Sequence, residues 1–187
     1  MPAFDIETIA TGRLVLRLLT PEDAPAMYTI FSDPEVMRYG AGSPWTTMEQ
    51  ADEYLVKDAE NLASGAALRV GIALRATGML IGQAGLWAFS AQNRRCDIGY
   101  SLARAHWGKG YASEAVHALL GYGFDRLDLN RVEADIDPRN AASARVLERL
   151  GFQREAYMPE RWIVGGEVCD TVFYGLLRSG WTARRPR

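Results

Sequence analysis

Apolar and polar residues alternate with two distinct periods along this chain, and the switches between them lay out its elements. Arg13 to Leu18 places Leu14, Leu16 and Leu18 on one side, as a half-buried strand does. Thr20-Pro21-Glu22-Asp23 then signals a helix, with Thr20 as cap and Pro21 in the first turn, running to about Ser32, where Asp33-Pro34 stops it. Pro34 to Tyr39 predicts a further helical turn, and Tyr39 to Thr46 a loop. Thr47-Met48-Glu49-Gln50 has the form of a capping box, and Ala51, Tyr54, Leu55, Asp58 and Leu62 carry the helix behind it to Gly65.

The runs Ala67 to Leu74 and Met79 to Leu86 flank Ala76-Thr77-Gly78 and predict an antiparallel hairpin, followed by a long loop from Trp87 to Arg95. A strand from Cys96 to Leu102 leads into a glycine turn. Beyond it Ala115, Val116, Leu119, Leu120 and Phe124 recur at helical spacing, leaving Ser113, Glu114 and His117 on the polar side. Arg131 to Ile136 alternates as a strand with Val132, Ala134 and Ile136 inward, and Asp137-Pro138-Arg139-Asn140 turns it. Asn140 is placed to cap a helix from Ala141 to Leu150, ended by Gly151. A last hairpin pairs Phe152 to Met158 with Val168 to Leu177 across a loop holding Gly165-Gly166.

The resulting order predicts an α+β fold of the α/β sandwich type, with a mixed, mostly antiparallel central sheet. Neither an internal repeat nor a domain linker interrupts it, so residues 1–180 read as a single domain and 181–187 as a basic, disordered tail. Composition agrees: with 187 residues, 48% hydrophobic, 24% charged and a net charge of −2, the chain has the material for one soluble core. No apolar run approaches the roughly 20 residues that span a bilayer, and the start lacks a basic-then-apolar leader, so the expected location is cytoplasmic, without membrane contact. The balanced charge argues against nucleic acid as partner. Cys96 and Cys169 lie in alternating runs and read as core thiols, too few for a disulfide framework or a zinc site; no metal is expected.

The candidate chemistry concentrates in the turn Trp107-Gly108-Lys109-Gly110-Tyr111-Ala112, between a strand and a helix starting near Ser113. Glycines there allow positive φ and close approach of a ligand, and the first amides of a helix lack intrahelical partners and sit at the positive end of its dipole. A phosphate loop of the G-x-x-x-x-G-K-S/T type is excluded because Gly110 follows Lys109, and a dinucleotide fingerprint because Ser113 stands where its third glycine belongs. A helix-capping turn and an anion cradle both remain open on spacing alone.

Taken together, Arg13-Leu14-Val15-Leu16-Arg17, Asp33-Pro34-Glu35-Val36-Met37, Ile98-Gly99-Tyr100, Trp107 to Ala115, Asn140-Ala141-Ala142-Ser143 and Gly151-Phe152 resemble the GCN5-related N-acetyltransferases, more narrowly their RimJ/RimL branch, over nearly the whole chain. The resemblance implies the acyl-CoA N-acyltransferase fold and transfer of an acetyl group from acetyl-CoA directly to a primary amine, on a protein N-terminus or a small molecule. A non-catalytic acyl-CoA-binding or sensing module is the alternative from another class. It further implies that Trp107, Gly108, Lys109, Gly110, Tyr111, Ala112 and Ser113 hold the pyrophosphate, mostly through main-chain amides, with Trp107 where the family pattern has Gln or Arg. The strand ending at Leu102 is expected to splay from the Arg131 strand, leaving Tyr100, Ser101 and Leu102 as a shelf for the thioester. Asn140 is the remaining expected CoA contact. Dimers are frequent in this family, so a homodimer is compatible with it.

Such a transfer needs a neutral amine, a polarised carbonyl and a proton for the leaving thiolate. Two carboxylates are candidates for the base: Glu160, near where RimL-like enzymes place theirs and the first choice, and Asp97, at the start of the splayed strand. Ser143, one helical turn after Asn140, resembles the residue that donates to the departing sulfur. Glu133 and Asp135 are accounted for by alternation alone, as the wet face of a strand. The acceptor side is expected from the first two helices and the last hairpin, with Tyr39, Trp45 and Trp162 as contacts and Trp87 and Trp107 adding to the aromatic stock.

Overall fold

The computed structural model describes residues 4–6, 8–40 and 42–183. Its strands are β1 (Thr8–Ala10), β2 (Leu14–Arg17), β3 (Ala67–Leu74), β4 (Leu80–Ser90), β5 (Arg95–Leu102), β6 (Arg131–Ile136), β7 (Gln153–Val164) and β8 (Glu167–Leu177). Its helices are α1 (Ala24–Phe31), α2 (Pro34–Met37), α3 (Glu49–Ser64), α4 (Tyr111–Asp125), α5 (Ala141–Leu150) and α6 (Arg178–Ala183). The strands form one eight-stranded sheet in the order β1-β2-β3-β4-β5-β6-β8-β7. All its pairings are antiparallel except β5 with β6. This is the expected mixed sheet, and no described helix is long and apolar enough to cross a membrane.

The period-two pattern decides which face each side chain takes, and register then lines up the faces. Leu16, Ile72, Ala84, Leu86, Ile98, Val132, Ala134, Val172 and Leu176 fall on one side and are buried. They pack with Ala115, Val116, Leu119, Leu120 and Phe124 of α4 and Leu147 and Leu150 of α5, as one core. On the opposite side α1 and α3 enclose a smaller core of Met27, Ile30, Phe31, Ala51, Leu55 and Leu80. That second face carries Gln83, Trp87, Asp97, Ser101, Glu133 and Asp135 from β4, β5 and β6, which makes it the polar side of the sheet centre.

Local signals explain several ends. The Asp23 carboxylate accepts from the Thr20 N–H at 2.9 Å and takes a two-pronged bond from Arg17 at 2.7 Å, so Pro21–Asp23 forms a short 3-10 turn before α1. Burial pushes the Asp23 carboxyl up, but Arg17 and Thr20 outweigh it and hold it below its usual value. At α3 Met48 is the cap residue, while the Gln50 side-chain oxygen accepts from the Thr46 and Thr47 amides. Only the returning half of the expected capping box is made.

Five expectations are corrected. The loop from Trp87 to Arg95 is mostly strand: β4 continues to Ser90 through a bulge where Ala88 has φ 52°, leaving a turn only at 91–94. Likewise β7 runs past Met158 to Val164, so Glu160 and Trp162 lie in a strand. Pro159 is tolerated because β7 is an edge, and a bulge between Met158 and Trp162, with Glu160 at φ 52°, breaks the alternation. Cys96 is buried as expected, but Cys169 is only half-buried, on the part of the hairpin that projects beyond the core. The residues 8–10, assigned no element from sequence, form β1. Finally, the boundary at 180 falls inside α6, where Trp181 is 4% exposed and packs on Phe124 and the His117 ring; residues 184–187 lie outside the described residues.

Burial of the Trp181 ring gives it weight in the stability of the fold. Trp181→Ala empties a core position and is expected to cost about 3 to 5 kcal/mol, whereas His117→Ala, on the exposed rim of the same contact, should cost under about 1 kcal/mol. Urea unfolding of both variants checks it; equal, small effects would place Trp181 outside the core.

Candidate active site

The site is built where β5 and β6 part. Their parallel pairing holds at Arg95–Arg131, Cys96–Val132 and Asp97–Glu133 and ends there. Each strand keeps its other partner well beyond that point, β5 with β4 as far as Leu102 and β6 with β8 as far as Ile136. The inner edges of residues 98–102 and 134–136 therefore face a wedge with their backbone groups free of each other. Backbone donors and acceptors in such a place need partners, and an extended chain bearing amides fits.

Two helix N-termini follow the two strands. The turn after β5 contains Gly108 and Gly110 at φ 73° and 79°, where a side chain is strained, and Gly110 is the cap residue of α4. The first helical bond is donated by Glu114 N–H to Gly110 C=O at 3.1 Å, so the amides of Tyr111, Ala112 and Ser113 precede it and have no intrahelical partner. They lie at the positive end of a 15-residue helix, where an anion is favoured. Trp107 donates its ring N–H to the Leu102 carbonyl at 2.7 Å, which fastens the turn to the end of β5. After β6, Asn140 caps α5 as expected, its side-chain oxygen accepting from the Ser143 N–H at 3.0 Å.

Across the wedge, the Tyr100 hydroxyl of β5 and the Ser143 hydroxyl of α5 lie 2.9 Å apart. Burial pushes the Tyr100 phenol up to about 12, against a smaller lowering by Ser143, so the phenol stays protonated throughout the physiological range. The family resemblance implied a place at the site for each residue but gave no sign that they bond to one another.

The other face of the wedge is acidic. Asp97 lies beside Glu133, with Asp135 further along β6. Burial first, then the Glu133 and Asp135 charges, push the Asp97 carboxyl up to about 6, with Arg95 acting the other way. Arg95 instead makes its short contact with Glu133, at 2.6 Å, and stands 3.9 Å from Asp97. Glu133 also accepts from Arg131 at 2.7 Å, and Asp135 from the Trp162 ring N–H at 2.9 Å. The Trp87 ring lies against Gly99, where a Cβ would collide with it. Only glycine at 99 leaves room for the end of that indole next to β5, a reason for Ile98-Gly99-Tyr100 that sequence alone did not supply.

The remaining candidates are placed as follows. Glu160 is exposed on the β7 bulge, and its N–H, rather than its carboxylate, is engaged, donating to Asp170 at 2.8 Å. Trp45 is packed against Phe31 and Tyr54 with ring centroids at 4.8 and 5.5 Å, so it supports the wall between α1 and α3. Tyr39 lies under the guanidinium groups of Arg38 and Arg139. Arg139 in turn bonds Asp137 and, at 2.6 Å, Glu167, which ties the β6–α5 turn to the tip of the β7–β8 hairpin. The hairpin tip is the two-residue turn Gly165-Gly166, at φ 58° and 87°.

Residues 13–153 match the family model described as an acetyltransferase (GNAT) domain. The chain is 39% identical over 173 residues to the uncharacterised N-acetyltransferase p20 of Bacillus licheniformis, covering 92% of this chain and 97% of that relative. A crystal structure of a GNAT-family acetyltransferase from Bacillus anthracis superposes with a TM-score of 0.82 at 29% identity, covering 92% and 99% of the two chains. RimL, a ribosomal-protein alpha-N-acetyltransferase solved in complex with coenzyme A, shares the fold with a TM-score of 0.82 at 22% identity, over 91% of this chain and 98% of that one.

The raised Asp97 carboxyl sets the sign of a stability test. The folded protein holds that proton up to about pH 6, whereas an unfolded Asp releases it near about 3.9, so this group's contribution to stability falls as pH rises between those values. Asp97→Asn is therefore expected to raise the melting temperature at about pH 7.5 and to leave it unchanged at about pH 4. Scanning calorimetry at both pH values checks this; an equal shift at both would remove the buried charge as its cause.

Proposed function

The chain belongs to the acetyltransferase (GNAT) family, and on that basis we propose that it transfers acetyl from acetyl-CoA directly to a primary amine, on a protein N-terminus or a small molecule. One observation carries the reading: the β5–β6 pairing stops at Asp97–Glu133, and the strand that runs on from it to Leu102 leads through the glycine turn into the free amides at the start of α4. Pantetheine, an extended chain with two amides, matches the open edges, and the pyrophosphate matches the turn from Gly108 to Ser113. Tyr100, Ser101 and Leu102 then form the shelf under the thioester, and Asn140 borders the opposite strand.

The residues at the wedge divide the chemistry between its two faces. Asp97 is the base, acting directly or through water, in preference to the exposed Glu160: at about 6 its carboxyl is ionised at neutral pH and yet more basic than an ordinary carboxylate. An α-amine, at about 8, lies roughly two units above it; a lysine-like amine, at about 10.4, lies more than four above. The base is thus better matched to an α-amine. The attacking nitrogen forms the new C–N bond at the thioester carbon, the C–S bond breaks, and the nitrogen's proton passes to Asp97. Ser143, bonded to Tyr100, faces the departing sulfur. A hydroxyl pair less acidic than a thiol, whose pKa is about 8.5, stabilises the thiolate by a hydrogen bond without giving up its proton. Tyr39 and Trp162, on either side of the hairpin mouth, border the acceptor.

Thiol release with a panel of N-terminal peptides and small amines tests the whole reading, and acetyl-CoA that stays bound but unconsumed against every amine would make the chain a sensing module instead. With an acceptor in hand, Asp97→Asn should lower kcat by about a hundredfold and abolish the acid limb near pH 6, while Ser143→Ala should cost about tenfold. Gly110→Pro or Ala112→Asp should raise KM for acetyl-CoA more than about tenfold and Lys109→Ala only about twofold. A large Lys109 effect with little from Gly110 would contradict binding by main-chain amides.

A further inference from the structure

The anion turn is fastened from below by residues that belong to neither the turn nor the wedge. Arg13 of the loop before β2 donates from one terminal nitrogen to the Lys109 carbonyl at 2.8 Å and from Nε to Glu114 at 2.7 Å. Glu114, in the first turn of α4, also accepts from the Arg13 backbone N–H at 2.8 Å and the Thr11 hydroxyl at 2.6 Å. The guanidinium lies over the Tyr111 ring, 4.6 Å from its centroid, and a Cβ on Gly110 would come within 3.4 Å of it. Burial works against ionisation of Glu114, but Thr11 and Arg13 outweigh it and hold the carboxyl below its usual value. A carboxylate in the first turn of a helix that receives a pyrophosphate repels its ligand, so its presence calls for another task.

We propose that Arg13 and Glu114 act as a positioning pair that fixes the orientation of the Lys109–Gly110 peptide and thereby aims the Gly110 N–H at the bound pyrophosphate. The peptide is trans and planar, so its C=O and N–H point in opposite directions. Fastening the oxygen toward β2 turns the Gly110 N–H outward, away from β2, to the mouth of the turn. Glycines at 108 and 110 leave that peptide free to flip at little cost, and Arg13 supplies the restraint that the glycines remove. Glu114 holds Arg13 Nε while a terminal nitrogen of the same planar group reaches the Lys109 carbonyl, two fixed donors that a lysine cannot reproduce. The inference rests on the reading that this turn binds the CoA pyrophosphate.

Calorimetric titration with CoA, dephospho-CoA and pantetheine, the last by competition, separates the alternatives without requiring the acceptor. For Arg13→Lys and Glu114→Gln, Kd should rise about tenfold for CoA and dephospho-CoA alike, stay unchanged for pantetheine, and rise no further in the double variant. Affinities for CoA within about twofold of wild type in both single variants would overturn the proposal, as would an Arg13→Lys protein that binds normally, since charge alone would then suffice. Loss confined to CoA would assign Arg13 to the 3′-phosphate, and equal loss of pantetheine would mean general damage; either overturns it. A wild-type protein that binds pantetheine as tightly as CoA would instead remove the donor reading itself.

Discussion

Everything at the centre of this molecule depends on a parallel pairing that stops early. β5 and β6 share only the register from Arg95 to Asp97, yet neither can close the gap beyond, because each is held on its far side, by β4 and by β8. The wedge is therefore set by the sheet as a whole rather than by any residue lining it. Because α4 and α5 pack together on the apolar face, their N-termini open beside the same gap. A fold that leaves main-chain groups unpaired in its middle leaves donors and acceptors there that call for partners.

The two faces of that gap differ in kind. Tyr100 and Ser143 stand on the side continuous with the apolar core, where burial keeps a phenol neutral. Asp97, Glu133 and Asp135 stand on the side that α1 and α3 only partly enclose, where Arg95 of β5 and Arg131 of β6 both make their short contacts with Glu133 and Asp97 is left with Arg95 at 3.9 Å. One sheet thus offers a neutral hydrogen-bond donor and a proton-hungry carboxylate a strand's thickness apart. The pleat itself separates the hydroxyl pair from the carboxylate, since residues of β5 an odd number apart point to opposite faces.

Much of this was legible in the sequence wherever the signal was local. The periods of two and three and a half named most of the elements, Asn140 and Gly151 marked the two ends of α5, and the glycine turn announced α4, which begins at Tyr111, two residues before the expected Ser113. Local signals failed at Ala88 and Glu160, where a bulge throws the alternation out of phase and an unbroken strand reads as loop. They were also silent on partners distant in the chain. Nothing in the polar face of α4 tells that Glu114 meets Arg13, and nothing in the run from Leu80 tells that the Trp87 ring lies against Gly99. Trp181, in a stretch that ends in a cluster of arginines, was lost to the tail for a related reason: one buried indole on a short helix has no period. The resemblance to a known family filled part of that gap by naming Ser143, and the geometry then supplied its partner.

The bulged outer strand also matters for what the protein does not do. A sheet of eight strands has two free edges, and an unprotected edge invites another chain to add to it, the first step of polymerisation. Here one edge is β1, only three residues long, and the other is β7, in which Pro159 has no N–H to offer, Glu160 turns left-handed, and Arg154, Glu155 and Arg161 are exposed. An incoming strand would lose its register at the bulge after a few bonds. The irregularity that hid β7 from the sequence pattern thus also leaves this edge a poor template for another strand.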